Sequence, residues 1–505
     1  MRHHMLVVLA MMMVVLAWGY GPLAAQDLAE FEKRITEFTL PNGLHFIVLE
    51  RHEAPVATFL TFANVGAVDE QRGLTGMAHV FEHMAFKGTK TIGTKDYKAE
   101  AKALARIDEV FAAIKAERLK PGPDKARLEQ LQKDFAKAQE DAQQYLVHDE
   151  FEETLQRAGG QGLNAGTGAD QTLYFVSLPA NKTELWMALE SDRYLNPVLR
   201  EFYKERDVVM EERRLRVESD PTGRLLEEFL AAAYKAHPYG TEVIGHMSDL
   251  ESMGRVDAEA FFKTYYNPNN LTIAVVGDVD PGQVREMASR YFGRIPTGPK
   301  PNPVVTEEPP QLGERRVSVE DKAQPLVLIG FHKPGINDPN NAVYDAITDI
   351  MGMGRTSRIY KSLVKEKRIA MQASAFQGMP GEKYPGLFLF YAFPSRGHTS
   401  GECEQALMAE IDRLKTESVT AEELKKAKTR ARASLIRQLG SNMGLAQQLT
   451  YYQVLTGDWR NLFRQLDRID KVTEEDILRV AKETFTTKNR TVGLIATTDT
   501  PAPQG

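Results

Sequence analysis

Two histidines and one glutamate fall within five residues of this sequence, as His79-Val80-Phe81-Glu82-His83. Residues three and four positions apart lie on the same face of an α-helix, so the three polar side chains would point the same way. A zinc site in an enzyme takes about three protein ligands and keeps one position open for water. His79 and His83 therefore qualify as metal ligands, and Glu82 as a base for a metal-bound water. The alternative is an amphipathic helix whose histidines face solvent or a carboxylate.

A third ligand has to come from elsewhere, and the segment KERDVVMEERRLR offers two candidates. Glu205 and Glu212 are seven residues apart in this segment, so they share one face of a helix. One of them could bind the metal while the other orients a ligand histidine from behind. Residue types alone do not decide between the two carboxylates. A solvated face of alternating charges is the alternative interpretation of this segment.

The segments around these residues show strand and helix patterns. Apolar and polar residues alternate on both sides of Asn42-Gly43, which predicts a β-hairpin just before the histidine helix. Residues 96–157 have apolar positions at three- and four-residue spacing, interrupted by KPGPD at 120–124. This pattern predicts an inserted antiparallel helical hairpin that projects from a globular body. A flexible charged linker is the alternative.

A proline-rich stretch, PTGPKPNPVVTEEPP, separates two parts of the chain in which the order of elements repeats. The buried-strand patterns NNLTIAVVGD and NRTVGLIATT come at matching places near the ends of the two parts. We therefore predict an α+β protein with two topologically related α/β sandwich domains. The predicted domains are residues 26–295 and 313–505, joined by a linker over 296–312.

Composition limits the classes of function that fit the chain. A formal net charge of −6 with interspersed signs provides no basic block for nucleic acid. The single cysteine, Cys403, excludes an internal disulfide framework and a cysteine-rich zinc cluster. Residues 1–25 combine a basic start, an apolar run and small residues, which predicts a secretory signal peptide cut near Ala25. An uncleaved membrane anchor is the alternative, and no other segment approaches membrane-spanning length.

Several stretches resemble one family. GLTGMAHVFEHMAFKGT and ERDVVMEERR resemble the zinc helix and the E-R-x-x-V-x-x-E segment of the M16 metallopeptidases, the family of pitrilysin, insulinase and the mitochondrial processing peptidase. HPYGTEVIGHMSDLESM and YYNPNNLTIAVVGDVD resemble further parts of its first half, and GMGRTSRIYKSLVKEKRIA a part of its second half. The resemblance covers roughly residues 35–500 apart from the helical hairpin. It implies the M16/LuxS-type fold, in the bacterial two-domain exported form.

The resemblance assigns roles by position in the motifs. His79, His83 and Glu212 would be the zinc ligands, Glu82 the general base and Glu205 the assisting acid. NAVYDAITDIMGMGRTS in the second part lines up with TGMAHVFEHMAFKGT and has no histidine at the ligand positions. The expected cofactor is therefore one Zn²⁺ per chain, held by the first domain.

The stretch LNAGTGADQTLYF resembles the N-A-x-T edge strand of the same family. An exposed strand edge can bind an extended peptide through main-chain hydrogen bonds, so we expect Asn164 and Ala165 to bind substrate. The alternative is an ordinary turn and core strand. The family also uses an arginine and a tyrosine to polarise the substrate carbonyl. In the corresponding segment here, GLFLFYAFPSRGHT, Tyr391 and Arg396 are poorly placed for that role.

Family members enclose a chamber with four such domains, and this chain carries two. The resemblance thus implies a second M16-type subunit, with a heterodimer favoured and a homodimer possible. We expect a periplasmic or secreted zinc endopeptidase that hydrolyses peptides or unfolded segments, with no nucleic-acid partner and no membrane span after signal cleavage. The alternatives are a non-catalytic or weakly active peptide-binding assembly subunit, and a peptidase that trims one precursor.

Overall fold

The computed structural model describes residues 31–497, and the predicted signal peptide over residues 1–25 lies outside them. The first sheet has six strands in the order β1-β2-β6-β3-β5-β4. Its strands are Ile35–Thr39 (β1), His45–Glu50 (β2), Val56–Ala63 (β3), Gln161–Thr167 (β4), Thr172–Pro179 (β5) and Leu271–Gly277 (β6). The hairpin predicted around Asn42-Gly43 is confirmed, since β1 and β2 pair antiparallel there. Gly43 has a φ of +94°, a backbone conformation that favours glycine in this turn.

Ten α-helices connect and cover the strands of the first part of the described chain. They are Met77–Met84 (α1), Tyr97–Arg118 (α2), Lys125–Gln143 (α3), Glu150–Arg157 (α4), Thr183–Leu195 (α5), Phe202–Arg213 (α6), Pro221–Ala233 (α7), Met247–Ser252 (α8), Arg255–Tyr265 (α9) and Pro281–Tyr291 (α10). A π-helical turn, Arg214–Glu218, extends α6. Asp220 then accepts a hydrogen bond from the backbone N–H of Thr222 and caps α7.

The second sheet has five strands in the order β7-β11-β8-β10-β9. They are Arg315–Asp321 (β7), Leu326–Lys333 (β8), Ala370–Met379 (β9), Gly386–Pro394 (β10) and Arg490–Thr497 (β11). Its α-helices are Asn341–Gly352 (α11), Ser400–Thr416 (α12), Ala421–Gln438 (α13), Asn442–Thr456 (α14), Asn461–Lys471 (α15) and Glu474–Thr484 (α16). Between residues 31 and 497, no helix combines the length and apolar character that crossing a bilayer requires.

The two sheets share one topology, as the repeated order of elements predicted. Apart from β1, the order β2-β6-β3-β5-β4 has the same connectivity as β7-β11-β8-β10-β9. The first two strands of each order run parallel, and the remaining neighbours run antiparallel. The predicted α+β class with two related sandwich units is therefore confirmed. In this topology β11 occupies the place of β6, as their similar buried-strand patterns indicated.

Each half covers one face of the other half's sheet. Leu445 and Leu449 of α14 pack on the first sheet against Ile47 and Phe62. Conversely, α7 from the first half lies on the second sheet, where Phe229 packs against a surface opened by glycines. A Cβ atom at Gly330 would lie 2.7 Å from the Phe229 ring, and one at Gly493 would lie 2.9 Å from it. The exchange of helices buries apolar surface on both sheets and joins the halves.

The proline-rich stretch between the halves forms neither helix nor strand over residues 296–312. It is nevertheless attached to the first half, because Glu308 accepts hydrogen bonds from three backbone N–H groups after α7. The donors are Lys235, Ala236 and His237, at 2.8, 2.8 and 3.1 Å. The linker and the domain boundaries on either side of it stay predictions.

The predicted helical hairpin consists of α2 and α3, but its first helix lies against the body instead of projecting from it. Leu104, Ile107 and Phe111 of α2 are buried in the core of the first half. The Phe111 ring lies 4.7 Å from the ring of Tyr203 on α6. The apolar residues of α2 thus pack against both α3 and the globular body. Helical spacing predicts that they are buried but not what they pack against.

Candidate metal centre

The helix α1 holds its three polar side chains towards one side because its other residues are buried. Val80, Phe81 and Met84 lie in the first core. The helix follows Gly76, whose φ is +90° and where a Cβ atom would lie 2.6 Å from the carbonyl oxygen of Ile244. This close approach requires glycine at the turn.

A half-buried carboxylate caps the start of α1. Glu70 accepts hydrogen bonds of 2.7 Å from the backbone N–H groups of Gly76 and Ala78. Burial raises the pKa of the Glu70 carboxyl to about 8, although both hydrogen bonds act in the opposite direction. The carboxyl group is thus part of the structure that fixes the direction of α1.

Three candidate ligand atoms converge beside α1. Nε2 of His79 and Nε2 of His83 each lie 3.7 Å from Oε2 of Glu212 on α6. Candidate ligand atoms of the three residues lie within 4.8 Å of one another, and this is the one such group within residues 31–497. Tetrahedral zinc with nitrogen and oxygen ligands separates its ligand atoms by about 3.4 Å. Two histidines and a carboxylate are also a ligand set of catalytic zinc sites, so these residues fit zinc.

Glu205 and Glu212 lie on different sides of the histidines. Oε2 of Glu205 lies 3.6 Å from Nδ1 of His83, away from the Nε2 atoms that face Glu212. Oε1 of Glu212 pairs with Arg216 at 2.7 Å, which leaves its Oε2 towards the histidines. The geometry therefore fits Glu212 as a ligand and Glu205 as the acid behind it, and both roles stay predictions.

Electrostatics at the two histidines differ. Burial lowers the pKa of His79, which favours the neutral imidazole that a metal binds. At His83 the contact with Glu205 outweighs burial and raises the pKa. Burial acts to raise the pKa of Glu205, but the contacts with His83 and with Lys87, whose Nζ is 2.6 Å away, lower it overall. Nδ1 of His79 has no hydrogen-bond partner within the described chain, whereas Nδ1 of His83 faces Glu205.

The three residues open onto a cleft of about 1010 Å³. Glu82 lines the cleft next to them without belonging to the cluster of candidate ligand atoms. Strand β4 forms another wall and brings Asn164 and Ala165 to the cleft. Within residues 31–497, β4 is the last strand of its sheet and pairs with β5 alone, so one of its main-chain edges has no strand partner there. A substrate role for Asn164 and Ala165 stays a prediction that this placement fits.

The second half contributes little to the cleft. Met379 and Pro380 are its lining residues among those that the structure describes. Tyr391 lies elsewhere, on β10, where its hydroxyl accepts a 2.8 Å hydrogen bond from Gln372. Arg396 is exposed in the turn that follows β10 and does not line the cleft.

Sequence reasoning missed three residues near the site. Glu70 gives no sequence signal that separates it from a surface acid. Lys87 follows His83 by four residues, a spacing that could have suggested a shared helix face, although α1 ends at Met84. Glu242 lines the cleft, and burial raises the pKa of its carboxyl to about 7.

Comparisons with known proteins agree with this fold and identify its family. A family profile described as Insulinase (Peptidase family M16) matches residues 46–115 and 141–246. A second, described as Peptidase M16 inactive domain, matches residues 252–431. Together they cover more than half of the chain, so the protein belongs to peptidase family M16. The gap at 116–140 contains the tip of the helical hairpin and most of α3.

Relatives extend over almost the whole chain. Zinc protease PqqE of Helicobacter pylori is 28% identical over 455 residues, which are 88% of this chain and 89% of that protein. The crystal structure of a protease from Helicobacter pylori superposes with a TM-score of 0.77 and 26% identity, covering 92% of this chain and 99% of that chain. The periplasmic protease PqqL from Escherichia coli has a TM-score of 0.68 and 19% identity, and the match covers 92% of this chain and 48% of that one.

Proposed function

We propose that this protein is a zinc-dependent endopeptidase that binds one Zn²⁺ per chain through His79, His83 and Glu212. The observation that carries the proposal is the convergence of these three side chains beside Glu82, in a cleft bordered by a free strand edge. A scaffold protein would need neither a ligand set of this kind nor an adjacent carboxylate. The name of the Helicobacter pylori relative supports the same chemistry.

The residues of the chain have separate roles in the proposed reaction. Bound zinc would supply a Lewis acid that lowers the pKa of water and polarises a peptide carbonyl. Glu82 accepts the proton of the attacking water and returns it to the amine that leaves when the peptide bond breaks. Glu205 holds the imidazole of His83 from its Nδ1 side, which keeps Nε2 directed towards Glu212.

The proposed substrate is an extended peptide or an unfolded segment. Such a chain can add a strand to the free edge of β4, with main-chain hydrogen bonds along Asn164 and Ala165. Asn164 is exposed, and its Oδ1 accepts a 2.9 Å hydrogen bond from the N–H of Ala165. Strand addition reads the backbone of the substrate, so a folded protein would have to expose a segment first.

A second M16-type subunit is proposed to complete the active site, with a heterodimer favoured and a homodimer possible. The chain of PqqL is about twice the length that this chain matches, which supports two such units in a working assembly. The second half also brings only apolar or ring side chains, Met379 and Pro380, to the described part of the cleft. Groups that polarise a substrate carbonyl would then come from the partner.

We also propose that the protein acts in the periplasm or is secreted. The support is the signal-peptide pattern of residues 1–25, together with the structural neighbour described as periplasmic. A weakly active or non-catalytic assembly subunit is the second candidate function. It is favoured by the match of residues 252–431 to a domain described as inactive.

The test uses purified residues 26–505, wild type and Glu82→Gln, with a pool of unstructured peptides and mass spectrometry. We expect about one zinc per chain in both proteins, and cleavage in the wild type that a chelator abolishes. Glu82→Gln should cut about 10²- to 10⁴-fold more slowly, the usual contribution of a general base. Glu211→Gln is the control, because Glu211 is exposed on α6 and pairs with Arg214.

Each outcome separates the candidates. Cleavage that disappears with the chelator and in Glu82→Gln supports a self-sufficient peptidase. Bound zinc without cleavage supports a subunit that requires its partner, and mixing with a candidate partner should then restore cleavage. A wild-type protein that is folded and binds no zinc would contradict the proposed function altogether.

A further inference from the structure

Lys87 follows α1 and occupies an almost enclosed position between two carboxylates of the metal-site region. Its Nζ lies 2.6 Å from Oε1 of Glu205 and 3.7 Å from Oε2 of Glu201. The exposed fractions of the three side chains are 18% for Lys87, 13% for Glu205 and 11% for Glu201. Ion pairs with little access to solvent interact more strongly than surface pairs, because water screens them less.

Lys87 separates two charges that would otherwise repel. Glu201 and Glu205 are four residues apart at the start of α6, so their carboxylates lie on the same side. A second cation, Lys204, pairs with Glu201 at 2.9 Å and is mostly exposed. Without the ammonium of Lys87, Glu205 would lose its closest cation and retain an acidic neighbour. The carboxylate of Glu205 would then be held less firmly beside the imidazole of His83.

The segment that carries Lys87 is itself clamped by a buried arginine. Nη1 of Arg200 donates to the carbonyl oxygens of Lys87 and Ile92 at 2.5 and 2.8 Å, and Nη2 donates to that of Thr89 at 2.6 Å. Nε donates to Oε1 of Glu100 at 2.8 Å, on the first helix of the helical hairpin. Arg200, Glu100 and Thr89 are buried, and burial favours polar groups that are paired with one another in this way.

Two glycines make this clamp possible. Cβ atoms at Gly88 and Gly93 would lie 2.8 and 2.7 Å from Nη1 of Arg200. Both residues have positive φ values, +89° and +85°, so the chain curls closely around the guanidinium. The start of α2 therefore helps to fix the position of Lys87, because Glu100 of α2 binds Arg200 and Arg200 binds the segment that carries Lys87.

We propose that Lys87 is a positioning residue of the metal centre, which holds Glu205 against Nδ1 of His83 from a segment fixed by Arg200. This inference rests on the proposed function, since it concerns how a ligand histidine is held. It also gives the inserted hairpin a role at the site, because Glu100 of α2 is one end of the contact chain. The rival explanation is that Lys87 only stabilises the first turn of α6.

The test compares Lys87→Met, Lys87→Arg and the matched control Lys90→Met in the full chain from residue 26. Lys90 belongs to the same segment, is exposed, and has its Nζ 5.9 Å from the ring centre of Tyr97. The main readout is the rate at which each zinc-loaded protein loses zinc to an excess of chelator. The melting temperature and the separate kcat and KM values on a peptide are measured beside it.

We expect Lys87→Met to release zinc about tenfold faster, the lower end of the range for groups that hold a ligand histidine. Lys87→Arg keeps the cation and should restore most of the wild-type rate, and Lys90→Met should match the wild type. In Lys87→Met, kcat should fall while KM changes little, because the edge of β4 is unaltered. A lower melting temperature with an unchanged rate of zinc release would overturn the positioning role.

A further variant tests the link to the hairpin. Glu100→Gln keeps an acceptor for Arg200 and should accelerate zinc release less than Lys87→Met does, because the three carbonyl contacts of Arg200 remain. Zinc release at the wild-type rate in Glu100→Gln would show that the helical hairpin does not help to position Lys87. Wild-type protein without bound zinc would instead overturn the proposed function, so the two failures are distinguishable.

Discussion

The helices α1 and α11 have the same place in the two halves, but they contact the next helix layer, α6 and α13, through different polar side chains. In the first half, α1 follows β3 and turns His79 and His83 towards Glu212 of α6. In the second half, α11 follows β8 and packs on α13, where Asp349 pairs with Arg430 at 3.0 Å. The α1–α6 and α11–α13 contacts have the same place in the shared topology. The first brings together side chains that can act as metal ligands, and the second pairs two opposite charges.

The difference shows what a metal centre requires beyond the fold. A guanidinium has donors and no lone pair, so Arg430 cannot bind a metal ion. Its charge is already compensated by Asp349, and it also donates to the carbonyl oxygen of Met353 at 3.2 Å. In the first half, Nε2 of each histidine lies 3.7 Å from Oε2 of Glu212, which is too far for a direct hydrogen bond. The same packing of two helices therefore supports a candidate site in one half and a structural contact in the other.

The largest effect should come from removing one of the converging side chains. His79→Ala deletes a proposed ligand, and two ligands rarely suffice for tight binding by a catalytic zinc site. We expect no zinc to remain after gel filtration and cleavage to fall at least as far as in Glu82→Gln. Metal analysis by mass spectrometry on the purified protein gives the answer. A variant that keeps a full equivalent of zinc would remove His79 from the ligand set.

The next effect distinguishes the two carboxylates of α6. Glu212→Gln should lose zinc, whereas Glu205→Gln should keep it with an affinity reduced by about 10- to 100-fold, as for groups behind a ligand histidine. Competition with a chelator of known affinity measures both, and Glu211→Gln on the same helix is the control. If Glu205→Gln loses the metal and Glu212→Gln retains it, the two roles have to be exchanged.

Much of the local structure follows from sequence patterns. The hairpin at Asn42-Gly43 and the helix around His79 were predictable because turn residues and side-chain spacing act over a few positions. The approach of Glu212 to the histidines depends on tertiary packing. Its identification relied on the family motif, since Glu205 satisfies the same helical spacing.

Other features could not be read from local patterns. The apolar faces of α7 and α14 indicate that each helix is buried, but not that each covers the sheet of the other half. The apolar stripe on α2 likewise does not say whether it faces α3 alone or the body as well. The contact between Lys87 and Glu205 depends on a loop whose course is fixed by the buried Arg200.

The pH dependence of stability should also differ between the halves. Desolvation raises the pKa of Glu70 in the first half from 4.5 to about 8, and that of Asp345 in the second half from 3.8 to about 6. Each folded carboxyl retains a proton that the unfolded chain releases, so each contributes stability at low pH that is lost as pH rises. The loss extends over about pH 4.5–8 for Glu70 and about pH 4–6 for Asp345.

Urea unfolding of the zinc-free protein between about pH 4.5 and 8 tests this difference. The free energy of unfolding of the wild type should decrease over this range, and Glu70→Gln should flatten the decrease. Asp345→Asn should change the dependence only below about pH 6. Since Gln loses one acceptor for a backbone N–H, the comparison uses the slope with pH and not the absolute stability. An unchanged slope in Glu70→Gln would show that this carboxyl does not titrate there.

The smallest effect concerns the ion pair that stands where the first half has its candidate ligands. Arg430→Met leaves Asp349 without its cation, although only 13% of that carboxylate side chain is exposed. We expect the free energy of unfolding to fall by about 1 kcal/mol, because a mostly buried charge loses its partner. Adding Asp349→Asn should recover part of this loss, since the double variant has no charge left to pair. Zinc content and cleavage should stay at wild-type values in both variants. A loss of zinc would mean that the second half helps to hold the metal. The Asp349–Arg430 pair could then no longer be regarded as a purely structural contact.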